Sequence, residues 1–473
     1  MASWLDRVYA RAPVIAQHAM VSAFGVWWKW RRFGPGFERE LDGYLARTHH
    51  STDAWRQYQT GVLRELLEIA STRIPYYRGA WKGLGLDLGA IARFTLDDLH
   101  HLPVLEKDAP RSEPEAFCVD GRPAPGSVIC PTSGSTGTPV RVYFTNADFR
   151  RAMALREARS CIPAGVSFRQ PRATFSGRLV VPEAGSHGPF YRFNAAERQV
   201  YFSAFHLSPA NAAGYIEPLR RHAIVWGTGY THAWDQLAGF VLEQGIAPPP
   251  SLRAIITTSE KLTPASRGRI EKAFGCRVFQ EYGTVEDALF ASENVDGRLY
   301  VSPDAGIVEL RRTDGTIVEP TSGDEGETIT TGFTRRTQLF IRYRLGDVAK
   351  WDPRPSALGL HMPIFEDVVG RLEDVVEGPD GRRTVRFHGV FTEVPGVREA
   401  QVIQEARDRL RIRVVPSAEY SGATEREIIQ RVHARLTTAM RVEVERVDAI
   451  PRTAAGKFKA VINAMSHDDT RRT

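Results

Sequence analysis

The segment with the clearest chemical content is Pro131-Thr-Ser-Gly-Ser-Thr-Gly-Thr-Pro139, in which Ser133, Gly134, Ser135, Thr136 and Gly137 form an uninterrupted hydroxyl and glycine run. Glycines let backbone N–H groups approach an anion and hydroxyls add donors, so such a loop suits a polyphosphate. It is not a Walker A loop, because no Lys-Ser or Lys-Thr follows the second glycine. It also lacks the Gly-x-Ser-x-Gly frame of a hydrolase nucleophile elbow. By itself it reads more readily as a polar linker.

Four further segments bear on its meaning. In Glu281-Tyr282-Gly283-Thr284-Val285-Glu286 an aromatic face can stack a purine and a carboxylate can hold phosphate-bound Mg²⁺. In Arg342-Tyr-Arg-Leu-Gly-Asp347 a carboxylate beside a glycine can accept both hydroxyls of a ribose. Gly370-Arg371-Leu372-Glu373-Asp374 combines a glycine with charged residues that suit a solvated hinge. In Pro451-Arg-Thr-Ala-Ala-Gly456-Lys457-Phe-Lys459 a glycine frees the backbone so that Lys457 can project as a point charge. Lysine is scarce here, with eight in the chain (29, 82, 107, 261, 272, 350, 457 and 459).

The elements around these segments alternate in type. Residues 253–257 read as a buried strand, and Thr263-Pro264 opens a helix that Gly275 stops. A strand at 277–280 follows, which places Tyr282 and Glu286 just past a strand's C-terminal end, where α/β sheets gather ligands. A strand at 223–226 and a helix at 233–243 repeat the arrangement, so an α/β fold is expected. Residues 306–310 and 316–319, joined through Asp314-Gly315, predict a hairpin, and 327–330 a further strand. After residue 370 the pattern is α+β, with strands at 410–415 and 442–447 around a helix at 424–440. The expected division is 1–369 and 370–473.

Composition excludes several classes. With 473 residues, 42% hydrophobic and 10% aromatic, the chain can bury a core without disulfides or structural metal. The net charge of +6 is scattered, with no zinc-finger or basic-zipper spacing, so no nucleic-acid partner is expected. Cys118, Cys130, Cys161 and Cys276 form no Cys-x-x-Cys pair, which points to a reducing, cytoplasmic setting. Residues 14–28 are apolar but interrupted by Gln17 and His18, too short to span a bilayer and without secretory cleavage chemistry. A helix packed on the body is expected there, with a membrane-surface helix as the alternative.

The order of the five segments resembles the adenylate-forming superfamily of acyl-CoA synthetases over nearly the whole chain. Ile74-Pro-Tyr-Tyr-Arg78, Leu102-Pro-Val-Leu-Glu-Lys107, Phe175-Ser-Gly-Arg178, Tyr201-Phe-Ser-Ala-Phe-His-Leu-Ser208 and Thr257-Thr-Ser-Glu260 narrow this to the phenylacetate–CoA ligase branch and its capsule-biosynthesis-like relatives. The resemblance implies a large multi-sheet N-terminal domain and a small mobile C-terminal one. It implies that Ser133 to Gly137 hold the β- and γ-phosphates of ATP. Thr258, Ser259, Glu260 and Tyr282 would line the adenine, with Gly283 and Thr284 completing the nucleotide site. Glu286 would bind Mg²⁺, and Asp347 with Arg371 the ribose. Lys457 would bridge the substrate carboxylate and the α-phosphate, and Glu373 would mark the hinge. Phe175, His206 and Tyr230 are candidate acyl-pocket residues that core packing explains equally well.

The implied reaction is adenylation of a carboxylic acid, an aromatic one being the first candidate, followed by transfer to CoA. Two departures bear on it. Val140 and Arg141 stand where many members carry a lysine after the phosphate loop. Val375-Val-Glu-Gly-Pro-Asp-Gly381 differs from the glycine-bearing stretch usual after the hinge of CoA ligases. The alternatives are an amine, hydroxyl or carrier-protein acceptor, or a catalytically silent binding protein peripheral to a membrane.

Overall fold

The computed structural model describes residues 4–132, 139–176, 180–181, 188–371, 376–379, 383–384, 391, 394–452 and 458–465. Ser133, Gly134, Ser135, Thr136, Gly137, Glu373 and Lys457 lie outside the described residues, and the side chain of Arg371 does too.

Among the described residues, thirteen strands form one continuous sheet. Its middle is parallel: Gln199–Ser203, Arg172–Ser176, Trp226–Tyr230, Ala254–Thr258 and Arg277–Gly283 lie side by side. These strands are largely buried, as parallel strands covered on both faces must be. Tyr191–Asn194 closes one edge antiparallel. On the other side the sheet continues antiparallel through Phe290–Glu293, Leu299–Val301, Ile364–Arg371, Tyr343–Trp351, Glu325–Gly332, Gly306–Arg311 and Ile317–Val318.

Helices fill the crossovers of the parallel part. Thr263 accepts a hydrogen bond from the Ser266 N–H, Pro264 occupies the first turn, and the helix Pro264–Phe274 stops at Gly275, whose φ of 64° is the left-handed value a C-terminal cap requires. The helix Thr231–Glu243 packs Trp234, Leu237 and Val241 into the core beneath the parallel strands. The expected hairpin is present, with Gly315 at φ 90°.

Two expected elements are displaced. The strand foreseen at 223–226 begins at Trp226, because Ala223, at φ 43°, belongs to the turn that ends the helix Ala212–Arg221. The helix foreseen at 424–440 runs from Gly422 to Arg435 and leaves the helical region at Leu436, where ψ is −92°. There the His433 imidazole nitrogen Nε2 meets the Met440 carbonyl oxygen at 2.9 Å across the turn.

The large sheet's last strand ends at Arg371. A separate four-stranded sheet, Arg441–Arg446, Arg409–Pro416, Val397–Ala406 and Val461–Asn463, has its own core of Val402, Leu410, Ile412, Ile428 and Val432. No helix among the described residues is long and apolar enough to cross a membrane, and all four cysteines are outside disulfides.

Candidate active site

The C-terminal ends of three neighbouring parallel strands lie side by side. Trp226–Tyr230 delivers Tyr230, Ala254–Thr258 delivers Thr258 and the following Ser259 and Glu260, and Arg277–Gly283 delivers Tyr282 and Gly283. Ser259 holds φ 70°, an unusual value for a side-chain-bearing residue that the turn into Glu260 imposes. Glu281 points the other way: its carboxylate takes Arg156 Nε at 2.8 Å on both oxygens, which ties the strand to the helix behind it.

Tyr282 and Asp347 lie far apart in sequence but meet here, the phenol donating to Asp347 Oδ2 at 2.6 Å. Sheet register adds the third member, since Asp347 lies directly opposite Arg371 on the neighbouring antiparallel strand. Gly346, at φ 72°, lies at a register shift within its strand, and a Cβ placed on it would lie 3.0 Å from Lys107 Nζ. The ammonium of Lys107 therefore stands beside Gly346. Thr284 Oγ1 is buried with no hydrogen-bond partner among the described residues. A buried hydroxyl left open beside Tyr282 suits a bound group that supplies the missing partner.

Glu286 is buried and accepts a hydrogen bond from the Tyr343 hydroxyl at 3.1 Å. Burial, and secondly the Glu286 charge, push the Tyr343 phenol well up, so it remains a donor to the carboxylate. Arg335 Nε donates to the Glu286 carbonyl at 2.8 Å and fixes the backbone there. Next to it, burial raises the Asp287 carboxyl to about 6 against the opposing pull of Thr334 and Arg335. No cluster of three or more His, Cys, Asp or Glu side chains capable of holding a metal occurs among the described residues. A magnesium ion that keeps waters and phosphate oxygens needs only one or two carboxylates, and Glu286 fits that requirement.

The three candidate acyl-pocket residues separate. Phe175 has no exposed surface and packs against Phe202, Tyr215 and Trp234, so the structure places it in the core. His206 stacks on Phe190 and its Nδ1 lies 2.7 Å from Ser203 Oγ. Tyr230 lines a narrow crevice of about 10 Å³ with Ala204, His232, Gln236, Glu260 and Phe458.

That crevice lies where the two sheets' units touch. Glu260 accepts from the His232 N–H at 2.8 Å on one carboxylate oxygen and from the Phe458 N–H at 3.1 Å on the other. The Phe458 ring stacks on His232 with centroids 4.7 Å apart, and the Arg452 guanidinium lies 5.0 Å over the same ring. Glu399, from the small sheet, accepts from Arg452 at 3.0 Å and Gln236 at 3.1 Å, and lies 3.1 Å from His232 Nε2. Burial alone would raise its carboxyl, but His232 and Arg452 hold it down to about 2. Sequence reasoning missed Lys107, His232, Glu399 and Arg452. The nearest signal was Arg452 and Phe458 standing on either side of the Lys457 segment.

Residues 379–464 match the model of the CapK C-terminal domain. Over 475 residues the chain is 26% identical to Protein CapK of Staphylococcus aureus, covering 97% of this chain and 99% of that one. Among solved structures, 2-hydroxyisobutyryl-CoA ligase in its postadenylation state with 2-HIB-AMP superposes with a TM-score of 0.69 at 22% identity, over 90% of this chain and 92% of that one. The same ligase with 2-HIB-AMP and CoA in its thioesterification state gives a TM-score of 0.58 at 20% identity, over 89% and 91%. The chain thus has the fold of the adenylate-forming acyl-CoA ligases, with a C-terminal part like that of CapK.

Proposed function

We propose that this protein is an AMP-forming acid–thiol ligase in which residues 1–369 bind ATP and the acid and residues 370–473 move and carry the lysine. A carboxylate oxygen attacks the α-phosphorus of ATP, the bond to the β-phosphate oxygen breaks, and pyrophosphate leaves an acyl-adenylate. A thiol then attacks the acyl carbon and AMP departs. Asp347, with Tyr282 and Arg371 beside it, holds the ribose. Thr258 and Ser259 line the base, and the loop Ser133 to Gly137 takes the β- and γ-phosphates. Magnesium held by Glu286 neutralises phosphate charge when bound. Lys457 bridges the carboxylate and α-phosphate. The chemistry is chiefly positioning and charge neutralisation.

The observation that carries this reading is the anchoring of both flanks of the Lys457 segment. Arg452 and Phe458 dock on His232 and Glu260 at the ends of the parallel strands, beside the crevice that contains Tyr230. The better superposition on a ligase in its postadenylation state than on the same ligase in its thioesterification state agrees with a domain arrangement suited to the first step. A cytoplasmic site of action is part of this reading, on the wide spacing of the four cysteines in the sequence.

CoA is the proposed acceptor. The departure of residues 375–381 from the usual post-hinge stretch favours keeping an amine, hydroxyl or carrier-protein thiol as the second reading. Mass spectrometry of reactions supplied with ATP, Mg²⁺ and an accepted acid separates the two. An acyl-CoA thioester is expected when CoA is added, and accumulation of acyl-AMP with CoA left untouched would move the assignment to the second reading.

Tyr282→Phe removes the donor to Asp347 without altering ring stacking. A hydrogen bond to a charged group is worth about 1.5–3 kcal/mol. The variant should therefore bind ATP about tenfold or more weakly by titration calorimetry, with its folded state intact. Unchanged affinity would take the Tyr282–Asp347 pair out of the nucleotide site.

A further inference from the structure

The helix Val14–Phe33 meets the body through polar groups along much of its length, with Trp28 on Phe149 and Phe33 on Phe168 as apolar contacts. Gln17 hydrogen-bonds Arg192 and the Tyr9 and Ala12 carbonyls, and His18 Nδ1 accepts from the Phe193 N–H at 2.8 Å. Ser22 bonds the Phe193 carbonyl and the Ala195 N–H, Arg31 donates to the Gly126 carbonyl, and Arg32 pairs with Glu197. These contacts cover the edge strand Tyr191–Asn194, and Gly25 lets the helix approach closely, since a Cβ there would lie 2.1 Å from Asn194 Oδ1.

Toward solvent the same helix presents Ile15, Phe24, Val26, Trp27 and Trp30, exposed by 83, 52, 63, 42 and 53%. A surface helix ordinarily places its apolar stripe on the core, so an outward one of this size marks an interaction surface. Charge identifies what it meets. Residues 7–33 contain no Asp or Glu, and Arg11 and Lys29 are exposed cations there, while Arg31 and Arg32 are held by Gly126 and Glu197. The Arg31 guanidinium lies 4.9 Å over the Trp27 ring and that of Arg150 5.3 Å over the Trp30 ring. Tryptophans beside cations on a helix that cannot cross a membrane fit the headgroup level of a bilayer. A second copy of the same face would set like charges against one another.

We infer that the helix Val14–Phe33 lies in the plane of an anionic phospholipid surface, with Val26, Trp27 and Trp30 inserted among the acyl chains and Lys29 at the headgroups. The adenylation reading has no part in this inference. Flotation of the full chain with vesicles of phosphatidylcholine alone, or mixed with phosphatidylglycerol, tests it. The wild type should float with the anionic vesicles and much less with the neutral ones, and added salt should weaken the association. Val26→Glu with Trp30→Glu should lower it by about tenfold or more, while thermal unfolding is unchanged because both side chains are outside the core. Absence of flotation, or equal flotation of the double variant, would overturn the inference. So would a concentration-dependent dimer in sedimentation that the double variant abolishes, since the face would then belong to a second copy.

Discussion

Lys457→Ala should lower acid-dependent pyrophosphate–ATP exchange by about 10²–10³-fold, the usual cost of removing one preorganised charge-stabilising group. As the acid attacks, negative charge builds on the α-phosphate oxygens, and a compact ammonium between both reacting groups offsets it in the transition state more than in the ground state. The ribose contacts proposed for Asp347 and Tyr282 lie in the large sheet and do not involve this lysine. ATP affinity should accordingly stay within about threefold of wild type, the pattern of an interaction made mainly in the transition state. Lys457→Arg should not restore the rate, because a planar guanidinium does not replace a point charge in a fitted position. Exchange at the wild-type rate in the alanine variant would remove Lys457 from the mechanism.

Glu399→Ala should undock the small sheet from the large one. Its carboxylate is the common partner of Arg452, Gln236 and His232, and the Arg452 side chain is 14% exposed. Removing one member of such a buried pair costs about 3–5 kcal/mol, because the other charge is left without compensation. Two units joined at this contact can escape that cost by separating, so the effect should appear as opening more than as unfolding. Small-angle scattering should show a larger radius of gyration, and exchange should fall because Arg452 and Phe458 are no longer held at the crevice. The pH dependence has a definite sign. Glu399 is held at about 2 against an ordinary 4.5, so its contribution to docking is complete above about 4.5 and is lost as pH falls toward 2. A scattering profile identical to wild type would show that Glu399 does not hold the units together.

Elements with local signals were legible in the sequence. Thr263-Pro264 and Gly275 bound a helix through cap chemistry that needs no tertiary partner, and Asp314-Gly315 marked its hairpin for the same reason. Periodicity found the parallel strand but ended it at 280, whereas it runs to Gly283 and carries Tyr282 within its last residues. Contacts set by register or by docking were not legible. Nothing local ties Asp347 to Tyr282, or Glu399 to Arg452 and His232. Phe175 shows the converse: an aromatic beside candidate site residues is a fully buried core ring, because its neighbours Phe202 and Trp234 arrive from other elements. The apolar run at 14–28 does dock on the body, as expected, through Trp28 but also through Gln17, His18 and Ser22. Composition gave no hint of which face would turn inward.

The most direct test of the central claim is pyrophosphate–ATP exchange by the full chain across a panel of carboxylic acids that includes aromatic ones. Exchange that requires both Mg²⁺ and one acid, with the matching acyl-AMP detected by mass spectrometry, is the predicted result. Nucleotide binding without exchange for any acid of the panel would contradict it and leave a binding protein on a ligase fold.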